Sequence, residues 1–315
     1  DTSARFAVRS RGPISKPSGQ QKCPPALHCT SPSRTRRLRI TDQGVDDLKP
    51  AAPNPEARFA RAVFYLDRDA SRAIRDFDLV ADGDRLLVAL SGGKDSTMLL
   101  QILAQRRAWR HGHYELQACH VRPPHQVACE ETASPESGAE TARHVERFLT
   151  AMCSRLDVPL HVVDSDPLPD QSEVTRPLSS CFLCARRRRK ALVETAVGLG
   201  IRKVALGHHM NDVAETLLLN LLWQGRCEGM LPRRDMFAGR VTLIRPLIYI
   251  EERELARACR LGGFPSIRCS CAFADRSKRE VAASILETVR RAGARGAAAN
   301  ALGVALKQAR NRAVP

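Results

Sequence analysis

The sequence predicts an α/β fold: a parallel sheet with helices on both faces. Three observations carry that expectation. Short aliphatic and β-branched runs recur along the chain, longer stretches with apolar residues at helical spacing separate them, and the first run ends in a glycine pair that opens a helix. The strand-like runs are RLLVAL (85–90), ELQACHV (115–121), LHVVD (160–164), IRKVAL (201–206) and VTLIRPL (241–247). RFARAVFYLDRDASRAIRDF is a helical lead-in. Between and after the strands come STMLLQILAQ, ETARHVERFLTAMCSRL (140–156), ARRRRKALVETAVGLG after a polar loop, NDVAETLLLNLLWQG and EERELARACRLGG. In sheets built from such βαβ units, ligands collect at the carboxyl ends of the strands.

The 315 residues suffice for a large core. A hydrophobic content of 43% and a charged content of 27% are ordinary, but 50 Lys+Arg against 34 Asp+Glu give a net charge of +16, which favours a polyanionic partner. No stretch approaches the roughly 20 apolar residues of a membrane span, so no membrane association is expected. Eleven unevenly clustered cysteines fit metal binding in a reducing compartment better than a disulfide scaffold. Residues 1–56 read as a disordered basic segment, 57–290 as the folded domain, and 291–315 as a basic Ala-rich tail or frayed helix. The location expected is cytoplasmic, with organellar targeting by the Arg/Ser-rich residues 1–40 left open. An aromatic content of 4% argues against recognition by stacking many bases; shape and phosphate contacts, with one flipped base, fit better.

Three constellations carry chemistry. In LLVALSGGKDS, the glycines let backbone N–H groups approach phosphate at a helix N-terminus, and Ser91, Gly92, Gly93, Lys94 and Ser96 form an anion cradle with Asp95 suited to Mg²⁺. The spacing is not that of a Walker A loop. In GHHMNDVAETLLLN, Gly207, His208, His209 and Asp212 follow a strand and open a helix. Adjacent histidines on a turn point apart, so a joint metal pair is not expected, whereas Asp212 is either a helix cap or a nucleotide-site carboxylate. The third joins CFLCARRRRK, with Cys181 and Cys184, to the distant Cys269-Ser270-Cys271; thiolates suit zinc or an iron–sulfur cluster, and the arginines suit phosphate.

SGGKDS resembles the pyrophosphate loop of the PP-loop ATP pyrophosphatases, whose fold is Rossmann-like and of the adenine nucleotide alpha hydrolase type. From about Asp78 to Ile285 the chain is similar to the tRNA 2-thiocytidine synthetase family, the iron–sulfur-dependent branch. The likeness rests on SGGKDS, C-x-L-C with its Arg-rich sequel, LGHHxxD, GMLPRRD…VTLIRPL and a cysteine pair after FP. It implies ATP-dependent thiolation of a tRNA pyrimidine, cytidine to 2-thiocytidine, by adenylation of the base carbonyl. Lys94, Asp95, Asp212 and Arg188 would then act on ATP and Mg²⁺, and the adenine would sit near Ala118 to Val121, with His120 and Gly207 in its site. A [4Fe–4S] cluster would be held by Cys181, Cys184 and Cys271, with Cys269 as the alternative because C-S-C is one residue shorter than the family's pair. Arg233 and Arg234 would join the basic run in contacting RNA. The partners implied are tRNA and a cysteine desulfurase or other sulfur donor, and a homodimer is one arrangement open to the chain. Competing readings are a uridine 2-thiolase or other PP-loop ligase, and a zinc-stabilised RNA-binding protein without catalysis.

Overall fold

The computed structural model describes residues 54–108, 113–122, 137–166, 177–265 and 278–313. The expectations for residues 1–53 and for Cys269 and Cys271 lie outside these residues. Helix α1 (Pro55–Asp76) begins at a proline, and Asn54 before it accepts a hydrogen bond from the Glu56 amide at 3.1 Å. The boundary expected at residues 56/57 thus falls within the first turn of α1. The chain continues through β1 (Arg85–Leu90), α2 (Lys94–Ala108), β2 (Glu115–Arg122), α3 (Ser137–Arg155), β3 (Leu160–Asp164), α4 (Pro177–Gly198) and β4 (Lys203–Ala205). It ends with α5 (Met210–Gln224), β5 (Arg233–Met236), β6 (Val241–Ile244), α6 (Glu252–Leu261), α7 (Lys278–Arg291) and α8 (Ala297–Ala313).

The strands form one sheet in the order β3-β2-β1-β4-β6-β5. All neighbours are parallel except β5, which runs antiparallel to β6. The sequence reading missed β5 because RRDM has a single apolar residue, Met236, among three charged ones; as an edge strand it needs only one partner and can carry charge. The chain winds outward from β1 to β3 and then crosses to β4 on the other side of β1. The carboxyl ends of β1 and β4 therefore flank the point where the winding reverses, where such sheets open a crevice.

Strand alternation divides the core. Leu86, Val88 and Leu90 of β1, with Leu116 and Ala118 of β2, join a large buried cluster with α1, α2, α3 and α6. Leu87, with Cys119 and Val121, faces the other way onto Leu192, Val193 and Ala196 of α4. Helix α2 is buried nearly all round (Met98, Leu99, Leu100, Ile102 and Leu103 are fully enclosed), because α1 and α6 cover the side that the sheet leaves open.

Two elements differ from the sequence reading. Helix α4 starts at Pro177, so the Cys181 and Cys184 positions lie inside it, one turn apart, rather than in the loop before it. The Ala-rich end forms α8, whose Leu302 and Ala305 are buried against the body of the fold. This packing leaves no room for a side chain at Gly229, where a Cβ would lie 2.2 Å from the Cβ of Ala305. We expect Gly229→Val to cost about 1–3 kcal/mol through overpacking, measured by denaturant unfolding, with Ala305→Gly in the same chain recovering part of the loss.

Candidate active site

The β1–α2 loop turns on Gly92, whose φ of 87° a side-chain-bearing residue rarely adopts. The loop serines brace it from within. Ser96 Oγ accepts the Ser91 amide at 3.1 Å and donates to the Gly93 carbonyl at 3.0 Å, while Ser91 Oγ accepts the Gly93 amide at 3.2 Å. Thr97 Oγ1 donates to the same Gly93 carbonyl at 3.0 Å. The sequence places Ser91 and Ser96 in the anion cradle as side-chain donors; the structure uses both hydroxyls to shape that cradle.

Lys94 and Asp95 start α2. Lys94 Nζ lies 2.8 Å from Glu252 Oε1 at the start of α6 and 3.3 Å from Asp95 Oδ2. Burial alone would lower the Lys94 pKa, but Asp95 and Glu252 together raise it, so the ammonium is held charged. Cys259, one helix face along α6, donates its thiol to the Lys94 carbonyl at 3.4 Å, and burial pushes its pKa up to about 12. Motif reading missed Glu252 and Cys259; only their position on α6 brings them here.

Gly207 follows β4 and touches the loop directly. A Cβ there would lie 2.8 Å from the Ser96 amide nitrogen. The next two residues diverge as expected. His209 turns inward, 4% exposed, with Nε2 3.8 Å from Asp95 Oδ1 and Nδ1 3.5 Å from Asp212 Oδ2. His208 turns toward β6, where its Nδ1 accepts from Arg245 Nε at 3.2 Å. Asp212 Oδ2 caps α5 by accepting the His209 amide at 2.8 Å, and the residue also lines the cavity over the glycine loop.

The two aspartates are electrostatically linked. Burial raises the Asp95 pKa, and Asp212 adds to that, against the lowering effects of His209 and Lys94. Burial also acts to raise Asp212, but His209, Arg279 and His208 outweigh it and hold the carboxyl below its usual range. Arg279 of α7, which no motif singles out, also reaches this corner. Its guanidinium forks across α5, with Nη2 on Asp212 Oδ1 and Nε 2.8 Å from Glu215 Oε2. Asp95 Oδ1 and His209 Nδ1 are buried and have no hydrogen-bond partner among the described residues. A cation held by carboxylates there would satisfy an orphaned oxygen, so the donor set fits Mg²⁺.

A cavity of about 330 Å³ opens over this loop, lined by Ser91, Asp95, Gly207 and Asp212 on one side and Ala185, Arg188 and Arg189 of α4 on the other. The basic run is thereby divided. Arg188 and Arg189 face the cavity, whereas Lys190 pairs with Asp166 at 2.8 Å and Arg187 reaches the Asp166 carbonyl at 3.4 Å. His120 does not line the cavity. It lies on the opposite face of β2 from Cys119 and Val121, which do, and its Nδ1–H donates to the Leu90 carbonyl at 2.8 Å. Burial lowers its pKa and keeps it neutral, so it ties β2 to the last residue of β1. Arg233 and Arg234 lie exposed on β5, and Arg233 Nη1 donates to the Asp78 carbonyl at 3.5 Å.

Cys184 is buried on α4 one turn before Arg188. Among the described residues no group of three or more His, Cys, Asp or Glu gathers as a metal site, and Cys184 is the described thiol of the expected cluster set. Its position beside Ala185, a cavity-lining residue, suits a thiolate-held centre adjoining the cavity.

A parallel sheet with a glycine loop at its switch point, an acidic pair and facing arginines defines a nucleotide-binding α/β protein of the pyrophosphate-loop class. The PP-loop domain model matches residues 66–267. The chain is 39% identical over 229 residues to the tRNA-cytidine(32) 2-sulfurtransferase of Syntrophotalea carbinolica, covering 71% of this chain and 80% of that protein. It is 36% identical over 206 residues to the enzyme of that name from Paraburkholderia phymatum, covering 65% of this chain and 56% of the relative, little more than half its length. The chain belongs to the PP-loop family and, within it, to the family of the tRNA-cytidine(32) 2-sulfurtransferases. Its fold is also that of the U34-tRNA thiolase NcsA from Methanococcus maripaludis, solved with its [4Fe-4S] cluster, at a TM-score of 0.59 and 16% identity over 79% of this chain and 80% of that one.

Gly207→Ala is expected to push the β1–α2 loop off its position. ATP affinity, measured by titration calorimetry, should fall on the order of tenfold or more, equivalent to about 1.4 kcal/mol, while the melting temperature changes little.

Proposed function

We propose that this chain thiolates a tRNA pyrimidine at the expense of ATP, converting cytidine to 2-thiocytidine. The observation that carries the reading is the cavity itself: one space of about 330 Å³ brings together the pyrophosphate loop, Asp95, Asp212 and Arg188, with the Cys184 thiol one helical turn away. The names of its relatives agree with that chemistry.

A pyrimidine 2-carbonyl is a poor electrophile with a poor leaving group. Placing AMP on its oxygen solves both problems. The loop amides and Lys94 take the departing pyrophosphate, and Glu252 keeps Lys94 charged for that task. Asp95 and Asp212 would hold Mg²⁺ on the phosphates. Arg188 and Arg189, as planar forks, would hold the phosphate that stays with the base. Cys181, Cys184 and Cys271, with Cys269 as the alternative third ligand, would hold a [4Fe–4S] cluster. Such a cluster, when bound, supplies an iron open to a sulfur nucleophile. The sulfur would come from a cysteine desulfurase or an equivalent donor, and reduced thiols fit a cytoplasmic setting. Among the described residues no helix is long and apolar enough to cross a membrane.

Anaerobically purified protein given tRNA, ATP, Mg²⁺ and sulfide should produce 2-thiocytidine, detected by nucleoside mass spectrometry. Thiouridine in its place, or stoichiometric zinc with no iron in the protein, would overturn the reading. Cys184→Ala should abolish thiolation yet leave transfer of labelled AMP to tRNA within about twofold of wild type. Arg188→Ala should weaken that AMP transfer by roughly 10-fold to 100-fold, as expected when a charge-assisted contact to a transferring phosphoryl group is lost, whereas Arg187→Ala should not.

A further inference from the structure

The nucleotide cavity has a neighbour. A second cavity of about 540 Å³ lies behind a wall of Arg189, Leu206, His208 and Leu243, residues that line both spaces. Its volume falls within the range of roughly 300–1,000 Å³ usual for small-ligand sites. Met230, Leu231, Met236 and Ala305 give it apolar surfaces, and Arg234 and Arg245 give it charge.

Arg245, just past the end of β6, has no carboxylate within ion-pair distance among the described residues although it is only 6% exposed. Burial lowers its pKa to about 10, and Arg234 and Arg189 push in the same direction, so it is still charged at neutral pH. Its Nε–H donates to His208 Nδ1 and its Nη1 to the Leu231 carbonyl, while its Nη2 amino group makes no hydrogen bond within the described protein. Because Nδ1 of His208 accepts, the proton of that neutral ring sits on Nε2, in a side chain shared by both cavities. Burial, the largest influence, holds the His208 pKa well below the usual value, with Arg245, Arg279 and His209 adding to it against Asp212. A buried guanidinium without a carboxylate is costly unless an anion completes it.

The first cavity, with its glycine loop, is claimed by ATP. A base whose oxygen is to meet the α-phosphate must therefore lie in a space that adjoins it. The groove of about 550 Å³ between α1 and α6, with Arg58, Arg61, Tyr65 and Arg257, shares no lining residue with the nucleotide cavity and fails this condition.

We propose that the second cavity receives the target pyrimidine nucleotide of the RNA, turned out of its stack, with its base against Leu231, Met236 and Leu243 and its phosphate at Arg245 and Arg234. The inference rests on the thiolation reading above. The arrangement is what base-modifying enzymes require: an apolar slot for the ring, guanidinium forks for the backbone and a donor in the wall next to the cofactor space.

Leu231→Trp and Met236→Trp, both at partly exposed positions, would fill the slot. In the holoenzyme each should cut thiolation of full-length tRNA more than tenfold while leaving the affinity for a non-hydrolysable ATP analogue unchanged, which also reports an intact fold. Full-length tRNA carrying 5-bromocytidine at the target position should crosslink to residues 230–236 under ultraviolet light. Wild-type rates in both tryptophan variants, or crosslinks confined to α1 and α6, would overturn the docking site while leaving the thiolation reading standing. A wild-type enzyme that thiolates no pyrimidine would remove that reading and the docking site with it.

Discussion

The contact between the backbone at Gly207 and the start of α2 governs the rest of this site. The β1–α2 loop and the β4–α5 turn leave adjacent parallel strands at the reversal of winding, and they meet with no space for a Cβ between them. That closeness brings Asp95 and Asp212, over a hundred residues apart in the chain, to either side of the His209 ring. Everything downstream depends on this meeting of loops: the nucleotide cavity, the shared wall at His208 and the reach of Arg279 from α7.

The electrostatics follow from placing several charges in a poorly solvated corner. Each of these acidic groups is matched in part by a cation from a different element: Glu252 of α6 by Lys94 of α2, Asp212 and Glu215 of α5 by Arg279 of α7. Such pairs add little net stability where they are half exposed, but they fix which groups are charged and where they point. Asp95 is the exception. Its Oδ1 is buried without a hydrogen-bond partner among the described residues.

Helix α4 couples the two halves of the proposed reaction. Because the helix begins at Pro177, Cys184 and Arg188 are successive turns of one rigid element rather than neighbours in a loop. A centre held at the first turn and a phosphate held at the second would then be spaced by helix geometry, about 6 Å along the axis for four residues. Lys190 and Arg187 anchor the helix to the end of β3 through Asp166, which leaves Arg188 and Arg189 for the cavity.

Periodicity and local turn chemistry made much of the fold legible from the sequence. RLLVAL and LHVVD begin and end where the strands do; the central β1 is apolar on both faces because both are covered, while the edge strand β3 carries β-branched valines between polar residues. The glycine loop and the capping aspartate were equally clear, because a positive φ and a helix N-terminus are demands met within a few residues. Strand β5 escaped because its reason to exist is the edge of β6; for α8 the sequence left helix and tail open, because the packing that decides it lies beside Gly229. His120 shows the limit at a single side chain: the family resemblance put it near the adenine, whereas strand alternation puts it on the face of β2 opposite Cys119 and Val121. By itself, then, the sequence determined the five strands other than β5, the phosphate loop and the kind of chemistry its thiols and arginines can do. Tertiary structure alone decided which arginines face the cavity, that Glu252 and Arg279 belong to the site, and that a second cavity shares its wall. Those are contacts between elements distant in the chain, and no local pattern of residues encodes them.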